Sequence, residues 1–231
     1  MAFRKKAEFI LNEQPDILIV PECENKERLE FGLFTVQPTD SYWYGDLPTK
    51  GIGVFTYGDF KIKLLTIHNP DFKYVLPLSV YNDKTSYSVF AVWTQKPVNN
   101  DNYTEQIWNA VQYYSDLLDG ENIIIAGDFN TNTIFDKPNR IVNHSSLVDF
   151  LKSKNIISTY HHFHNQIQGQ EKDPTLFMQR KKDRPFHIDY CFASSNVIAK
   201  LINVEIGKYE DWTKHSDHKP LIVTFDLDIG H

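Results

Sequence analysis

The sequence predicts a single α/β domain, and three observations support this prediction. Short β-branched apolar runs, at residues 123–125 and 221–225, have the composition of buried strands. Between such runs lie segments whose apolar residues recur at helical spacing. The chain has 231 residues without a repeat, a low-complexity run or a linker, so it can bury one large core as one domain.

The first elements are a helix and a strand. Phe3, Ala7, Ile10 and Leu11 have the spacing of one face of an amphipathic helix. Residues 15–22, PDILIVPE, follow as an apolar strand that ends in an acid, Glu22. A glutamate in a surface loop is the plain alternative for this position.

The middle of the chain alternates strands with packing helices. Residues 87–94 form a predicted strand, and residues 105–118 a helix that ends before Gly120. Residues 145–154 form a second helix, with Leu147, Val148, Phe150 and Leu151 on its apolar side. Both helices are predicted to cover a sheet and to have no direct role in function.

Residues 123–132, IIIAGDFNTN, are the most informative segment, because an apolar strand leads directly into a polar turn. Gly127 permits an unusual backbone angle at the strand end, where ligands of open α/β sheets bind. Asp128 and Asn130 are two residues apart and project to one side of an extended backbone. Together they suit holding a water against a phosphate or a hard cation. An Asx-rich turn is the alternative explanation.

Two later segments also place acids beside strands. Residues 186–192, FHIDYCF, alternate as a strand does and carry Asp189, for which a solvated edge position is the alternative. In residues 215–225, HSDHKPLIVTF, Asp217 directly precedes His218. If the local turn brings the two side chains together, the carboxylate can set the charge and orientation of the imidazole.

The ordered set PDILIVPE, GDFN, HIDY and SDH covers nearly the whole chain and resembles the endonuclease/exonuclease/phosphatase superfamily. That group includes exonuclease III-like and DNase I-like nucleases, sphingomyelinases and inositol polyphosphate phosphatases. The resemblance implies a DNase I-like, four-layered α/β sandwich, in which two packed mixed β-sheets are flanked by helices. It also implies an active site where both sheets present their loop ends.

Roles follow from the same resemblance, residue by residue. Glu22 is similar to the family's metal-binding glutamate, and Asp217 to a second carboxylate near the metal. All-oxygen ligands would select Mg²⁺ or Mn²⁺ over zinc.

The remaining residues of the motifs match the family's catalytic groups. Asp128 and Asn130 resemble the pair that positions and activates the attacking water and contacts the phosphate. Asp189 resembles the aspartate that supports the catalytic histidine or the metal shell. His218 resembles the imidazole that hydrogen-bonds the phosphoryl group.

The sequence departs from the family at its start and in one strand. The family begins with a strand that ends in Trp-Asn, and nothing here matches it, so we expect a domain over residues 1–231 that lacks this strand. Under this hypothesis Met1 is an internal methionine, and the natural protein starts roughly ten residues earlier. Trp93 and Thr94 also stand where many members place a His and others a Tyr. Since neither can act as a general acid near neutral pH, we expect metal-bound water to protonate the leaving group.

Two further clusters have weaker functional signals. His161, His162 and His164 lack an acid or cysteine at regular ligand spacing and are predicted to lie in a solvated loop. The basic stretch at residues 180–184, RKKDR, precedes Asp189 and either reaches the mouth of the site or forms a solvated hairpin loop.

Three functions remain open at this point. The first is a divalent-metal nuclease with DNA or RNA as substrate, and the second a phosphatase or phosphodiesterase acting on a small or lipid phosphate. The third is a binding protein that has lost catalysis. The net charge of −6 argues mildly against a protein that coats DNA. No apolar run is long enough to span a membrane, and Cys23 and Cys191 are predicted to be reduced, packed thiols, so a cytoplasmic location is expected.

Overall fold

The computed structural model describes residues 3–29, 35–96 and 102–226, which contain six α-helices and thirteen β-strands. The helices are α1 (Ala7–Leu11), α2 (Tyr103–Tyr113), α3 (His144–Ser153), α4 (Thr159–His164), α5 (Ser195–Ile198) and α6 (Tyr209–Trp212). The strands are β1 (Ile17–Cys23), β2 (Asp40–Leu47), β3 (Lys50–Thr56), β4 (Lys61–Leu64), β5 (Val75–Tyr81), β6 (Ser86–Trp93), β7 (Ile123–Asp128), β8 (Ile156–Ser158), β9 (Leu176–Phe177), β10 (Pro185–Phe186), β11 (Asp189–Ser194), β12 (Leu201–Ile206) and β13 (Leu221–Phe225).

The largest sheet has six strands in the order β4-β5-β6-β7-β11-β8. Its neighbouring strands are antiparallel except for β6 and β7, which run parallel. On the other side of the core lie the antiparallel sheet β1-β3-β2 and the antiparallel pair β12-β13, and β9 pairs with β10 separately. The six-stranded sheet has more strands than the three-stranded sheet that it faces, and it contains β7 as an interior strand.

Three apolar clusters separate four layers. The cluster between the sheets joins Ile52 and Val54 of β3 to Val89 and Ala91 of β6, all of them fully buried. A second cluster lies between the six-stranded sheet and helices α2 and α3. A third packs the N-terminal residues, including Phe3, against the outer face of the three-stranded sheet. The predicted four-layered α/β sandwich is therefore confirmed.

Strands β1 and β13 both pack against the cluster between the sheets, through Ile17, Ile19 and Phe225. Within the described part of the chain, β1 pairs only with β3 and β13 only with β12. The apolar side chains in the middle of both strands, such as Ile19 and Ile222, are only half-buried. The expected absence of a first strand stays a prediction.

Helices form close to the predicted positions, with boundaries set by local hydrogen bonds. Helix α2 begins at Tyr103, earlier than predicted, because Asn102 and Glu105 form a reciprocal capping box. It ends at Tyr113, and the predicted last turn is a separate 3₁₀ segment, Leu117–Asp119. Helix α3 agrees with its prediction to within one residue at each end.

The strand predicted at residues 186–192 is broken into β10 and β11. The hydroxyl of Thr175 accepts hydrogen bonds from the backbone N–H groups of Ile188 and Asp189, at 3.0 and 3.1 Å. The carbonyl of Ile188 accepts from the N–H of Phe129. These bonds replace a regular strand ladder, so β11 begins at Asp189 and this residue lies at the end of the strand.

The prediction that His161, His162 and His164 occupy a solvated loop is wrong. They lie on α4, where His161 is largely buried against Glu171 and His164 bonds to the carbonyl of Val204. His162 is exposed. The sequence pattern missed the burial of His161 because the acid that pairs with it, Glu171, lies in a later loop.

Two smaller predictions have clear outcomes. Cys23 and Cys191 are buried free thiols, as predicted. The basic stretch at residues 180–184 forms an exposed turn between β9 and β10, in agreement with the solvated-loop alternative. Every helix in the described ranges is too short or too polar to span a bilayer.

Candidate active site

Asp128 lies at the end of β7, between two neighbouring strands. The register places it beside Trp93 of the parallel strand β6 and opposite Asp189 of the antiparallel strand β11. Gly127 makes this close approach possible: its φ is +137°, and a Cβ atom there would be 2.0 Å from the carbonyl oxygen of Val92. The strand end therefore requires glycine, as the sequence indicated.

Asn130 holds the carboxylate of Asp128 in place. Its backbone N–H donates to Oδ1 of Asp128 at 3.0 Å, and its side-chain Nδ2 donates to Oδ2 at 2.8 Å. Nδ2 also donates to the carbonyl of Thr94 at 3.0 Å. Since both amide hydrogens of Asn130 are used, its remaining function toward a ligand is as an acceptor through Oδ1. The backbone turns in the left-handed region, with φ of +50° at Asn130.

Asp189 holds the imidazole of His218. Nδ1 of His218 lies 3.0 Å from Oδ2 and 3.2 Å from Oδ1 of Asp189. An isolated bridge between His218 and Leu176 of β9 anchors the loop before β13. This geometry fixes the ring and leaves Nε2 as the nitrogen that can face a ligand.

Three carboxylates determine the charge of His218. Burial lowers the pKa of His218, but the charges of Asp189, Asp128 and Asp217, together with the hydrogen bond to Asp189, outweigh burial and raise the pKa to about 10. Burial and the negative charge of Asp189 raise the pKa of Asp128 to about 8, although His218 and the bonds from Asn130 oppose this shift. Asp128, Asp189 and His218 each place a ligand atom within 4.8 Å of the other two.

The predicted metal ligands, Glu22 and Asp217, stand apart from this close group. Glu22 is exposed at the end of β1, with φ of +58°, and its carboxylate pairs with Lys50 at 2.8 Å. The carboxylate of Asp217 has no hydrogen-bond partner in the part of the chain that the structure describes. The negative charges of both residues act on one ammonium, that of Lys6.

The donor chemistry fits a hard divalent cation. Asp189 and Asp128 have their oxygens occupied by His218 and Asn130. Among the described residues, the carboxylate of Asp217 has no hydrogen bond and that of Glu22 has only a surface ion pair with Lys50. Carboxylate oxygens of this kind are preferred by Mg²⁺ and Mn²⁺. The roles of Glu22 and Asp217 as metal ligands stay predictions.

The end of strand β6 contributes a backbone carbonyl, that of Thr94, to the site. Trp93 and Thr94 are both buried, and the carbonyl of Thr94 accepts the bond from Asn130. The hydroxyl of Thr94 donates to the carbonyl of Phe129 at 2.5 Å. These two residues therefore position the turn after β7. Among the aromatic residues at this edge, Phe129 and Trp93 belong to the core.

The turn after Asn130 is held by a second group of polar residues, which we call the Glu171 network: Asn132, His161, Glu171, His187 and Tyr190. Nδ2 of Asn132 lies 3.0 Å from Oε1 of Glu171 and 2.9 Å from the hydroxyl of Tyr190 and the carbonyl of His187. Nε2 of His161 is 3.0 Å from the same oxygen of Glu171. Through Asn132 the network holds the turn that follows the GDFN segment, and no sequence pattern indicated it.

A cleft of about 280 Å³ adjoins the site at Asn130 and Ile188. Its walls include the aromatic rings of Tyr103, Phe135 and Phe186, and Arg140 contributes a positive charge. Sequence patterns could not locate it, because its walls come from five separate segments.

Comparison with known proteins places this geometry in a structural group. The sequence matches no family model and no curated protein sequence. Among solved structures, an AP endonuclease from Archaeoglobus fulgidus superposes with a TM-score of 0.67 at 14% identity, over 98% of this chain and 96% of that one. The 3′ phosphatase NExo from Neisseria, bound to product DNA hairpin, gives a TM-score of 0.64 at 14% identity over 97% and 94% of the two chains.

The endonuclease domain of TRAS1, a telomere-specific non-LTR retrotransposon, gives a TM-score of 0.63 at 13% identity over 97% and 91% of the chains. The chain has the endonuclease/exonuclease/phosphatase fold. The architecture therefore agrees with the fold that the four sequence motifs imply, and the structure brings Asp128, Asp189 and His218 together.

Proposed function

We propose that this chain is a divalent-cation-dependent hydrolase of phosphodiester bonds, with nucleic acid as its substrate. The observation that carries the proposal is the pairing of His218 with Asp189 directly opposite Asp128, at one edge of the central sheet. The arrangement combines a fixed imidazolium with a second carboxyl whose pKa is near 8. Hydrolysis of a phosphoester can use the first to stabilise charge on the phosphoryl group and the second to accept a proton from water.

The imidazolium of His218 stabilises negative charge on the phosphoryl group. Asp189 fixes the ring through Nδ1 and keeps it protonated at neutral pH. Nε2 can then donate to a phosphoryl oxygen whose charge rises as water attacks. A donor that is already oriented contributes most in a partly buried site, because little reorganisation is needed during the reaction.

Asp128 acts as the proton acceptor for the attacking water. Water oxygen forms the new bond to phosphorus, its proton passes to Asp128, and the ester bond to the leaving oxygen breaks. Burial and the charge of Asp189 raise the pKa of Asp128, which makes its carboxylate a stronger proton acceptor than an exposed aspartate. Asn130 holds both carboxylate oxygens and so sets the direction of this transfer.

Glu22 and Asp217 would hold a divalent cation, Mg²⁺ or Mn²⁺, which when bound would neutralise phosphoryl charge and assist the leaving oxygen. Glu22 would exchange its surface pairing with Lys50 for this ligand. Protonation of the leaving group remains assigned to water, since Trp93 and Thr94 are buried and neither is an acid.

The cleft beside Asn130 favours a substrate with an organic group next to the phosphate. Aromatic rings of Tyr103, Phe135 and Phe186 can contact a sugar or base, and Arg140 can pair with an adjacent phosphate. The superposed structures also favour a nucleic-acid substrate, because their names describe an AP endonuclease and a phosphatase bound to a DNA hairpin.

The test is direct. Plasmid, single-stranded DNA, RNA and a small phosphomonoester are each incubated with the protein in Mg²⁺, Mn²⁺ or EDTA. We expect metal-dependent cleavage of at least one nucleic acid and none in EDTA. Absence of turnover on every substrate with either cation would refute the proposed function.

A phosphatase activity is the second candidate, and one specific observation favours it. One superposed protein is named as a 3′ phosphatase. A DNA strand that ends in a 3′ phosphate separates the two activities. Release of inorganic phosphate with an intact strand would indicate the phosphatase, whereas shortening of the strand would indicate the nuclease.

A further inference from the structure

Helix α1 is fixed on the loop that carries Asp217 and His218. The ring of Phe9 stacks on that of His215 with 3.9 Å between their centroids. Nζ of Lys6 lies 3.3 Å from the hydroxyl oxygen of Ser216. The start of the chain therefore contributes a side chain to the rim of the candidate active site.

Ser216 connects this lysine to the catalytic histidine. Its buried hydroxyl oxygen accepts from Nζ of Lys6 and also from the backbone N–H of His218, at 3.2 Å. The hydroxyl of Ser216 thus joins the ammonium of Lys6 to the backbone of His218.

Lys6 differs from the other cations near the rim in its partners. Arg4 pairs with Glu24 at 2.6 Å, and Lys50 pairs with Glu22 at 2.8 Å. Lys6 has no direct ion pair among the described residues. Burial lowers the pKa of Lys6, while the more distant charges of Asp217, Glu22 and Asp189 raise it. An ammonium that is partly removed from water without a bonded anion is costly unless a ligand completes its shell.

We propose that Lys6 is a substrate-binding residue of this site, whose ammonium binds a phosphate oxygen of the nucleic acid beside His218. The inference rests on the proposed function and deepens it. Ser216 keeps one donor of Lys6 directed along the loop, which leaves further donors for the phosphate. Asp217, Glu22 and Asp189 act on Lys6 through their charges without forming an ion pair with it. A bound phosphate would supply the anion in direct contact with the ammonium.

The experiment compares Lys6→Met and Lys6→Arg with Lys5→Met. Lys5 is the exposed neighbour of Lys6, so its replacement removes the same charge from the surface of the same segment. Binding of a short fluorescein-labelled single-stranded DNA is measured by anisotropy in EDTA, where turnover does not interfere. We expect Lys6→Met to weaken binding about tenfold, as the loss of one charge-assisted hydrogen bond implies. Lys6→Arg should restore most of the affinity, and Lys5→Met should change it little.

A second measurement separates a lost phosphate contact from a damaged site. Mn²⁺ binding without DNA is followed by electron paramagnetic resonance, and Lys6→Met should bind Mn²⁺ as well as or better than the wild type, since a positive charge has been removed. If Lys6→Met binds DNA like the wild type, or weakens it no more than Lys5→Met, the inference is wrong. If Lys6→Met fails to fold, Lys6→Gln takes its place in both measurements.

The outcomes also distinguish this inference from the proposed function. A wild type that binds DNA through Lys6 but cleaves nothing with either cation would support the role of Lys6 and refute the hydrolase. A wild type that cleaves DNA with no effect of Lys6→Met on binding would do the reverse.

Discussion

The candidate active site and the Glu171 network both place histidine beside acid, yet they differ in their balance of charge. At the site, three carboxylates surround one imidazole and raise the pKa of His218 to about 10. In the network, burial raises the pKa of Glu171, but donors from His161 and Gly169 outweigh burial and lower it to about 2.

Two buried histidines, His187 of the network and its neighbour His144, have pKa shifts opposite in direction to that of His218. Burial lowers the pKa of His144 to about 4, and it also lowers that of His187. A region with unbalanced charge and free donor or acceptor atoms is prepared for a ligand. A region whose acid is saturated by internal hydrogen bonds stabilises the fold. The contrast teaches that the surroundings of a histidine, more than its presence, decide its role.

The sharpest test of the comparison removes the reacting groups. Asp128→Ala and His218→Ala should each lower kcat/KM on the nucleic acid that the wild type cleaves by about 10²–10⁴-fold, the contribution of a positioned acid or base. Thermal unfolding should remain cooperative, which separates a lost reacting group from a lost fold. His162→Ala, an exposed histidine on α4, is the matched control and should retain activity. A near-native rate in Asp128→Ala or His218→Ala would show that the replaced residue does not have the role proposed for it.

The converse test disrupts the Glu171 network and leaves Asp128, Asp189 and His218 in place. Glu171→Ala leaves the donors of Asn132, His161 and Gly169 unpaired and should lower the free energy of unfolding by about 3 kcal/mol. Chemical denaturation measures this loss. Glu210→Ala removes an exposed acid paired with Lys182 and should leave the midpoint almost unchanged. Equal effects of the two substitutions would contradict the scaffold role.

The network also predicts how stability responds to acid. The folded pKa of Glu171, about 2, is below its ordinary value of 4.5, so its stabilisation is complete above about pH 4.5 and is lost as pH falls toward 2. The difference in Tm between the wild type and Glu171→Gln should therefore shrink between about pH 5 and pH 2.5. A constant difference over this range would argue that the carboxylate charge has no part in the network.

The smallest expected effect concerns one proton. Because Asp189 raises the pKa of His218, NMR titration of the wild type should find the His218 ring protonated at about pH 8. In Asp189→Asn the ring should lose that proton at a lower pH, since burial then dominates. The raised folded pKa also means that the His218 contribution to stability is present below its ordinary 6.5 and is lost as pH rises through about 10. An unchanged titration in Asp189→Asn would assign the shift to other acids.

The sequence predicted the parts of the site that depend on strand order. Asp128, Asp189 and His218 each stand at or beside a strand end, and the resemblance implied a site where both sheets present their loop ends. Register alone then brings Asp128 opposite Asp189. The α2 and α3 helices followed from apolar spacing in the same way, because local pattern and burial agree.

The parts that depend on loops could not be predicted. Glu171 bonds with His161 through a loop that closes over α4, and Lys6 reaches Ser216 from the opposite end of the chain. Neither pair has a spacing or composition that indicates contact. The break before Asp189 was also hidden, because it depends on the hydroxyl of Thr175. Such contacts are decided by tertiary packing.

The register between β7 and β11 has a consequence for how the protein acquires activity. Asp128 meets Asp189 only after two strands that are distant in the sequence have paired, and His218 arrives later still, just before β13. Pairing of this non-local kind is slow relative to helix formation. During synthesis, Asp128, Asp189 and His218 therefore come together only after β13 has left the ribosome, and on refolding the return of the proposed hydrolysis should follow the pairing of β7 with β11.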